Sequence, residues 1–283
     1  MSSRDVRSWK LPFRIGTTSY IVPDDLLSNA AFLAPFVQDM QVVLFEVPGG
    51  PSNLASLANV AALAALGRRC DLTYTVHLLH DLRAHDQEWK PSLALAKAQE
   101  VIALTRPLEP CAYVCHLDGR AVQGTAAAPA GAELARWQET TARALQQVCA
   151  WAGDGQRVAV ENLEGYDPEF VTPVVERTAA ARCVDVGHLW LDGHDPLPHL
   201  AAALPRLAVV HLHGVAGGRD HASLVHTPAA QLDAVFHLLM DADFRGVLTL
   251  EVFGEEDFWS SLDAVEAAVA RLLGPSLGAS SPH

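Results

Sequence analysis

RCVDVGHLWLDGHDPLPHLAAALPRLAVVH, residues 182–211, decides the fold. It opens on a short apolar run, Arg182–Asp185, that stops at an acid. It continues through an Ala/Leu-rich stretch at 197–204 with helical spacing. It closes on a second β-branched run, Leu207–His211, that stops at an imidazole. Strand, helix and strand in succession form a βαβ unit, which is right-handed and builds a parallel sheet. The same alternation extends in both directions. Candidate strands are Arg14–Ser19, Gln41–Glu46, Leu72–His77, Ala112–His116, Arg157–Glu161, Arg182–Asp185, Leu207–His211 and Val247–Glu251. Candidate helices are 24–37, 53–69, 91–105, 132–152, 168–180, 197–204, 228–242 and 258–273. Eight repeats predict an α/β protein, a closed (β/α)8 TIM barrel. Residues 1–283 are expected to form one domain, with 1–13 as a lead-in and 274–283 as a tail. A doubly wound open sheet is the structural alternative, but no GxGxxG follows the first strand. Asp24, Asn53 and Asp167 (before Pro168) read as helix caps. Residues 117–131 and 213–228 read as long loops.

The chain has 283 residues, 50% of them hydrophobic and 19% charged, so it can bury a large core and is not a disordered chain. Its formal net charge is −13. The longest basic run is Arg68-Arg69, which argues against a nucleic-acid partner, since phosphate neutralisation needs a Lys/Arg surface. No apolar stretch approaches the ~18 residues of a membrane span. Five cysteines, an odd number without a CxxC, suit a reducing compartment, and a cytoplasmic location is expected. Nothing in the sequence fixes an oligomeric state.

The apolar runs stop in a distinctive way. They end at Glu46, His77, His116, Glu161, Asp185, His211 and Glu251, which covers seven of the eight strands. In a parallel barrel these ends share one face, the face that carries active sites. The adjoining loops add His188, His213, Asp220 and His221. A single histidine or acid at a strand end is commonly a hydrogen-bonded structural residue or a cap. Seven coincident ends call for a common cause. Gathered carboxylates raise one another's pKa, and divalent cations relieve that cost. Imidazole and carboxylate together suit Zn²⁺, Mn²⁺ or Fe²⁺. Tyr20, Trp190 and Phe253 lie just past strand ends and are placed to stack on a planar ligand. Arg83 and Arg219 lie in βα loops and are placed to pair with a phosphate. Glu46 stands as a loop carboxylate near the substrate. Cys115 and Cys183 are expected to pack as small hydrophobes.

The ordered motifs ENL (161–163), VDVGH (184–188), HLH (211–213) and LE (250–251) resemble the xylose isomerase-like TIM barrels, which include endonuclease IV and sugar isomerases and epimerases. Longer strings cover nearly the whole chain: IGTTSYIVPDD (15–25), LTYTVHL (72–78), YVCHLDG (113–119), VAVENLEGY (158–166), RCVDVGHLWLDGHDPLPHL (182–200), GRDHASL (218–224) and VLTLEVFGEEDF (247–258). They resemble the cobamide-remodelling phosphodiesterase family, CbiR. That resemblance implies metal-assisted hydrolysis within the nucleotide loop of a corrinoid substrate, with one to three divalent ions, zinc foremost. It implies that His77, His116 and Glu161 hold one ion, and that Glu161 bridges to a second held by Asp185, His211 and Glu251. His188 would serve a third with Asp220 and His221, although the nuclease pattern separates that acid and histidine by one residue and here they are adjacent. Glu161, His188 and His213 are the implied catalytic groups. Three alternatives stand beside it: a one-metal sugar isomerase or epimerase using Glu161 and Glu251 as acid and base, an apurinic-site endonuclease, and a non-enzymatic cobamide or metal carrier.

Overall fold

A computed structural model describes residues 5–47, 49–83, 85–87, 90–123 and 131–274. The expected tail past Gly274 and part of the 117–131 loop lie outside the described residues. Eight parallel strands close on themselves: β1 Arg14–Thr18, β2 Asp39–Val43, β3 Thr73–His77, β4 Tyr113–Cys115, β5 Val158–Glu161, β6 Ala181–Asp185, β7 Leu207–Leu212 and β8 Val247–Leu250. Each strand pairs with its neighbours in sequence, and β8 returns to β1 with Arg14 beside Val247. The order is that of an eight-stranded (β/α)8 barrel, as predicted.

Alternation along each strand builds two layers. Tyr113 and Cys115 of β4, Val158 and Val160 of β5, and Val210 and Leu212 of β7 pack outward into the main core beneath the helices. The intervening residues face the barrel axis, where Ala112, Val114, Ala159, Ala181, Cys183 and Val209 form a second, small-residue cluster. The same inward parity carries the final residue of a strand to the mouth. Glu161 follows Ala159, Asp185 follows Cys183, and His211 follows Val209. On β5, β6 and β7 one inward position is therefore both the end of the packed axis and the start of the site.

The helices are α1 Leu26–Leu33, α2 Leu57–Cys70, α3 Leu93–Thr105, α4 Gly131–Ala152, α5 Thr172–Val175, α6 Val186–Leu191, α7 Pro196–Ala203, α8 Ala229–Asp241 and α9 Glu255–Leu273. The caps differ from expectation by a few residues. Asp25 accepts from Ser28 N–H and caps α1, and Ser56 accepts from Asn59 N–H and caps α2. Asp167 binds Glu169 N–H in a turn and opens no helix. The helix expected over 168–180 shrinks to the four residues of α5, because Pro168 and Pro173 remove two backbone donors. Two unexpected elements bear on the mouth. The short α6 follows β6 directly, and a β-hairpin pairs Gly214–Ala216 with Arg219–Ala222 inside the supposed loop. Gly217 and Gly218, with φ of +61° and +74°, supply its turn. Among the described residues no helix is long and apolar enough to cross a membrane.

Candidate metal centre

Glu161 lies at the centre of the mouth, essentially buried, and its two oxygens face different partners. Oε2 stands 3.2 Å from His116 Nε2 and 3.5 Å from His77 Nε2. Oε1 stands 3.1 Å from His211 Nδ1 and 3.8 Å from His188 Nδ1. Glu251 Oε2 lies 2.8 Å from the same His211 nitrogen, and Asp185 Oδ2 lies 3.7 Å from it. Potential ligand atoms within 4.8 Å of one another form overlapping groups: His77–His116–Glu161, Glu161–Asp185–His211–Glu251 and His188–His213–His221. A further group joins Glu161 and His211 to Cys183. Burial pushes that thiol up to about 12, and Cys183 packs among the small residues of the barrel axis, as expected.

The far nitrogen of each imidazole tells which atom is free to bind. His77 Nδ1 donates to Leu78 O at 3.0 Å, which leaves Nε2 toward Glu161. His116 Nδ1 donates to Asp81 Oδ1 at 3.2 Å, again freeing Nε2. His211 Nε2 donates to Gln41 Oε1 at 2.7 Å, freeing Nδ1. His188 Nδ1 donates to Asn162 O at 3.1 Å, freeing Nε2. An acceptor behind the ring sets both tautomer and aim, the usual arrangement of metal-binding histidines. His213 reverses it. Its Nδ1 accepts His221 N–H at 2.9 Å, a fixed donor that prevails over the 3.2 Å approach to Gly214 O. Its Nε2 stands 3.2 Å from Asp185 Oδ1 without hydrogen-bond geometry. His213 has room only because residue 187 is glycine: a Cβ there would fall 2.1 Å from its ring.

Electrostatics bind the cluster tightly. Burial disfavours the ionised Glu161 carboxylate, but His211 and His116 outweigh it and hold its pKa well below the usual range. Burial likewise disfavours a charged His116, and Glu161 and Asp81 overcome this, lifting it to about 10. His221 rises to about 9, where Glu251 outweighs its burial. The buried atoms Asp185 Oδ2, His213 Nε2 and Glu251 Oε2 make no hydrogen bond. The short His211–Glu251 contact is therefore an electrostatic approach without hydrogen-bond geometry. Anchored imidazoles, two buried carboxylate oxygens without hydrogen bonds and a carboxylate facing both ways fit divalent cations held by mixed N/O donors.

The open space above measures about 400 Å³, and Asp81, Arg120, Gln123, Glu164 and Tyr166 join the strand-end groups around it. Sequence reasoning missed Gln41 and Asp81. Gln41 belongs to β2 and also donates to Glu251 Oε1 at 3.1 Å. Its sign in the sequence is inward parity with Asp39, a signal weaker than a charged strand end. Ten predicted groups do meet here: His77, His116, Glu161, Asp185, His188, His211, His213, Asp220, His221 and Glu251. Asp220 joins through two of the histidines, 3.3 Å from His221 Nδ1 and 3.9 Å from His188 Nε2.

The other predicted groups stand outside this cluster, some at its rim and some away from it. Glu46 is not a strand end, because β2 stops at Val43; it pairs with Lys97 Nζ at 2.8 Å, away from the mouth. Trp190 lies on α6 two residues past His188, about 200° around the helix, and lines an outer groove with Pro196 and Leu197. Arg219 is exposed on the hairpin. Arg83 approaches Asp118 at 3.3 Å beside the mouth. Tyr20 and Phe253 pack on each other at the rim, with ring centroids 6.4 Å apart.

Comparison with known proteins places this fold. No curated protein matches the sequence. Solved structures do match in fold. A D-tagatose 3-epimerase-like protein superposes with a TM-score of 0.71 at 16% identity, covering 93% of this chain and 100% of its own. A D-psicose 3-epimerase gives 0.65 at 13%, covering 92% and 98%. Endonuclease IV from Thermus thermophilus gives 0.64 at 21%, covering 91% and 99%. The sequence profile of one family spans residues 39–273. With its eight-stranded barrel and the side chains gathered at one end, the chain belongs to that family, the xylose isomerase-like TIM barrels.

Proposed function

We propose that this protein is a metal-dependent phosphodiesterase that opens the nucleotide loop of a cobamide. The observation that carries the hydrolytic reading is the two-way Glu161 carboxylate, with His77 and His116 on one oxygen and His211 on the other. A mononuclear centre needs only Glu161, Asp185, His211 and Glu251. The further imidazoles fit a site with at least two cations, the arrangement suited to in-line displacement at phosphorus. Cations bound there supply a water of lowered pKa and positive charge opposite the phosphoryl oxygens. The protein's own residues do the rest. Leu78 O, Asp81, Asn162 O and Gln41 fix the imidazoles from behind. Glu161 holds the two halves in register. His213, its Nδ1 held by His221 N–H, fills the space beside Asp185. Burial disfavours a charged His188, but Asp185 and Glu161 outweigh it and raise its pKa, so His188 left without a cation takes up a second proton on Nε2. That Nε2–H, near Glu164 and Asp220, is positioned to pass its proton to a departing alkoxide. The choice of a cobamide rests on the resemblance of the long strings, 15–25 through 247–258.

A second reading has one observation in its favour. The four-residue group Glu161–Asp185–His211–Glu251 is by itself a complete single-ion site, with two glutamates as acid and base. A ketose isomerase or epimerase would need no more. Metal analysis joined to product analysis separates the two. Two or more ions per chain, with cleavage of an adenosylated cobamide to a corrinoid phosphate ester and a nucleoside fragment, are expected. One ion per chain and stereochemical inversion of a ketose, with the diester intact, would establish the epimerase instead.

A further inference from the structure

Six large apolar side chains are conspicuously exposed among the described residues, and two of them flank one tyrosine at the barrel mouth. Phe45, 38% exposed, follows β2, and Phe253, 46% exposed, follows β8. Tyr20, just past β1, stands between them with ring centroids 6.3 Å from Phe45 and 6.4 Å from Phe253. The row continues inward, because Phe253 packs 5.2 Å from the ring of His221 in the third histidine group. The row is built into the scaffold. Asn53 Nδ2 donates to Tyr20 Oη at 3.1 Å and to Val43 O at 2.9 Å, and Asn53 Oδ1 accepts Phe45 N–H at 2.6 Å. One buried-side amide thus sets the tyrosine and the phenylalanine backbone together. The opposite side of the mouth is polar, lined by Asp81, Arg120, Gln123 and Tyr166.

Exposing rings beside a charged centre costs hydration free energy unless something covers them. The row runs from the rim to His221, so a flat apolar group joined to a phosphate at the centre would cover it. We infer that Phe45, Tyr20 and Phe253 form a stacking subsite for a heteroaromatic base carried on the alcohol side of the scissile phosphate, which makes the substrate a nucleotide ester. This deepens the phosphodiesterase reading and rests on it for the placement of the phosphate. Stacking is tolerant of base identity, since every base offers a π-face, so the subsite would admit several bases.

The test is equilibrium binding of two non-diester probes, adenosine 5′-monophosphate and ribose 5-phosphate, to the metal-loaded protein. The base-bearing probe is expected to bind about ten-fold more tightly, the scale of one base–aromatic stack. Phe253→Ala and Phe45→Ala should each erode that advantage and leave ribose 5-phosphate binding unchanged. Phe253→Leu keeps apolar bulk without a ring and should behave like the alanine variant. Both rings are exposed, so thermal unfolding should be unaltered. Equal binding of the two probes by the wild type, or an advantage that survives in Phe253→Leu, overturns the subsite. A base preference lost in the variants, in a protein that cleaves no diester, keeps the subsite and removes the phosphodiesterase. Diester cleavage with no base preference does the reverse.

Discussion

On the proposed phosphodiesterase reading, the chemistry turns on one carboxylate with two faces. Glu161→Gln keeps the shape and removes the charge that both halves of the cluster share. Loss of bound metal by elemental analysis is expected, with kcat/KM for diester cleavage down by about 100-fold or more, since a charged ligand common to two sites is lost. Asp81 acts one step further out, through the His116 tautomer. Asp81→Asn should weaken metal affinity by about 10–100-fold, the usual cost of losing the partner behind a ligating histidine. Competition with a fluorescent chelator reads it. The pKa pattern gives a third expectation. His116 lies near 10 against an ordinary 6.5, and His221 lies near 9. Both carry protons at neutral pH until a cation displaces them, so metal binding should release protons, measured by calorimetry in buffers of different ionisation enthalpy. The sign for stability follows. In chelator-treated protein the raised His116 contributes stability that is complete below pH 6.5 and is lost as pH climbs through about 10. Glu161, held low, contributes above its ordinary 4.5 and loses that contribution as pH falls below it. The melting temperature of the chelated protein should therefore fall on the alkaline side.

At the scale of elements, two short pieces shape the third histidine group. The helix α6 begins on Asp185, whose Oδ1 accepts His188 N–H at 2.7 Å, so one acid both caps a helix and faces the cluster. The hairpin places His221 with φ of +51°, a left-handed conformation unusual for a non-glycine residue and held by the contact with His213. Gly187 makes this packing possible. Gly187→Ala drives a methyl into the His213 ring and should destabilise the fold by about 1–3 kcal/mol, as overpacking does. The double variant with His213→Ala should recover most of that loss in a denaturant titration. These pieces also show where sequence reading stops. The six residues of α6 are too few for a helical period to emerge. The hairpin announces itself only by Gly217-Gly218, which reads equally as loop. Glu46 was misplaced for a related reason: VVLFE continues apolar past Val43, and only pairing to β1 and β3 marks the true end of β2.

Over the whole molecule, eight strands place distant residues within a few ångströms: Gln41 and Glu251, or His77 and Glu161. Cations bound there would tie strands β3 to β8 together. Removing them with a chelator should lower the melting temperature by several degrees, because a ligand that binds only the folded state stabilises it by mass action. Restoration by zinc, and the extent to which manganese or iron(II) substitutes, would identify the preferred ion. The net charge of −13 leads to one more expectation: negligible affinity for duplex DNA in a salt titration, despite the resemblance in fold to endonuclease IV.

The sequence alone determined the barrel and most of its mouth. Both follow from period-two strands that end in acids and imidazoles, a local pattern that needs no knowledge of distant contacts. Only the tertiary structure decided which nitrogen of each histidine is free, that Gln41 and Asp81 stand behind those rings, and that Glu46 and Trp190 face elsewhere. Those facts depend on exact strand ends, helix rotation and hydrogen-bond partners far apart in the chain. A protein fixes these only when its sheet has closed.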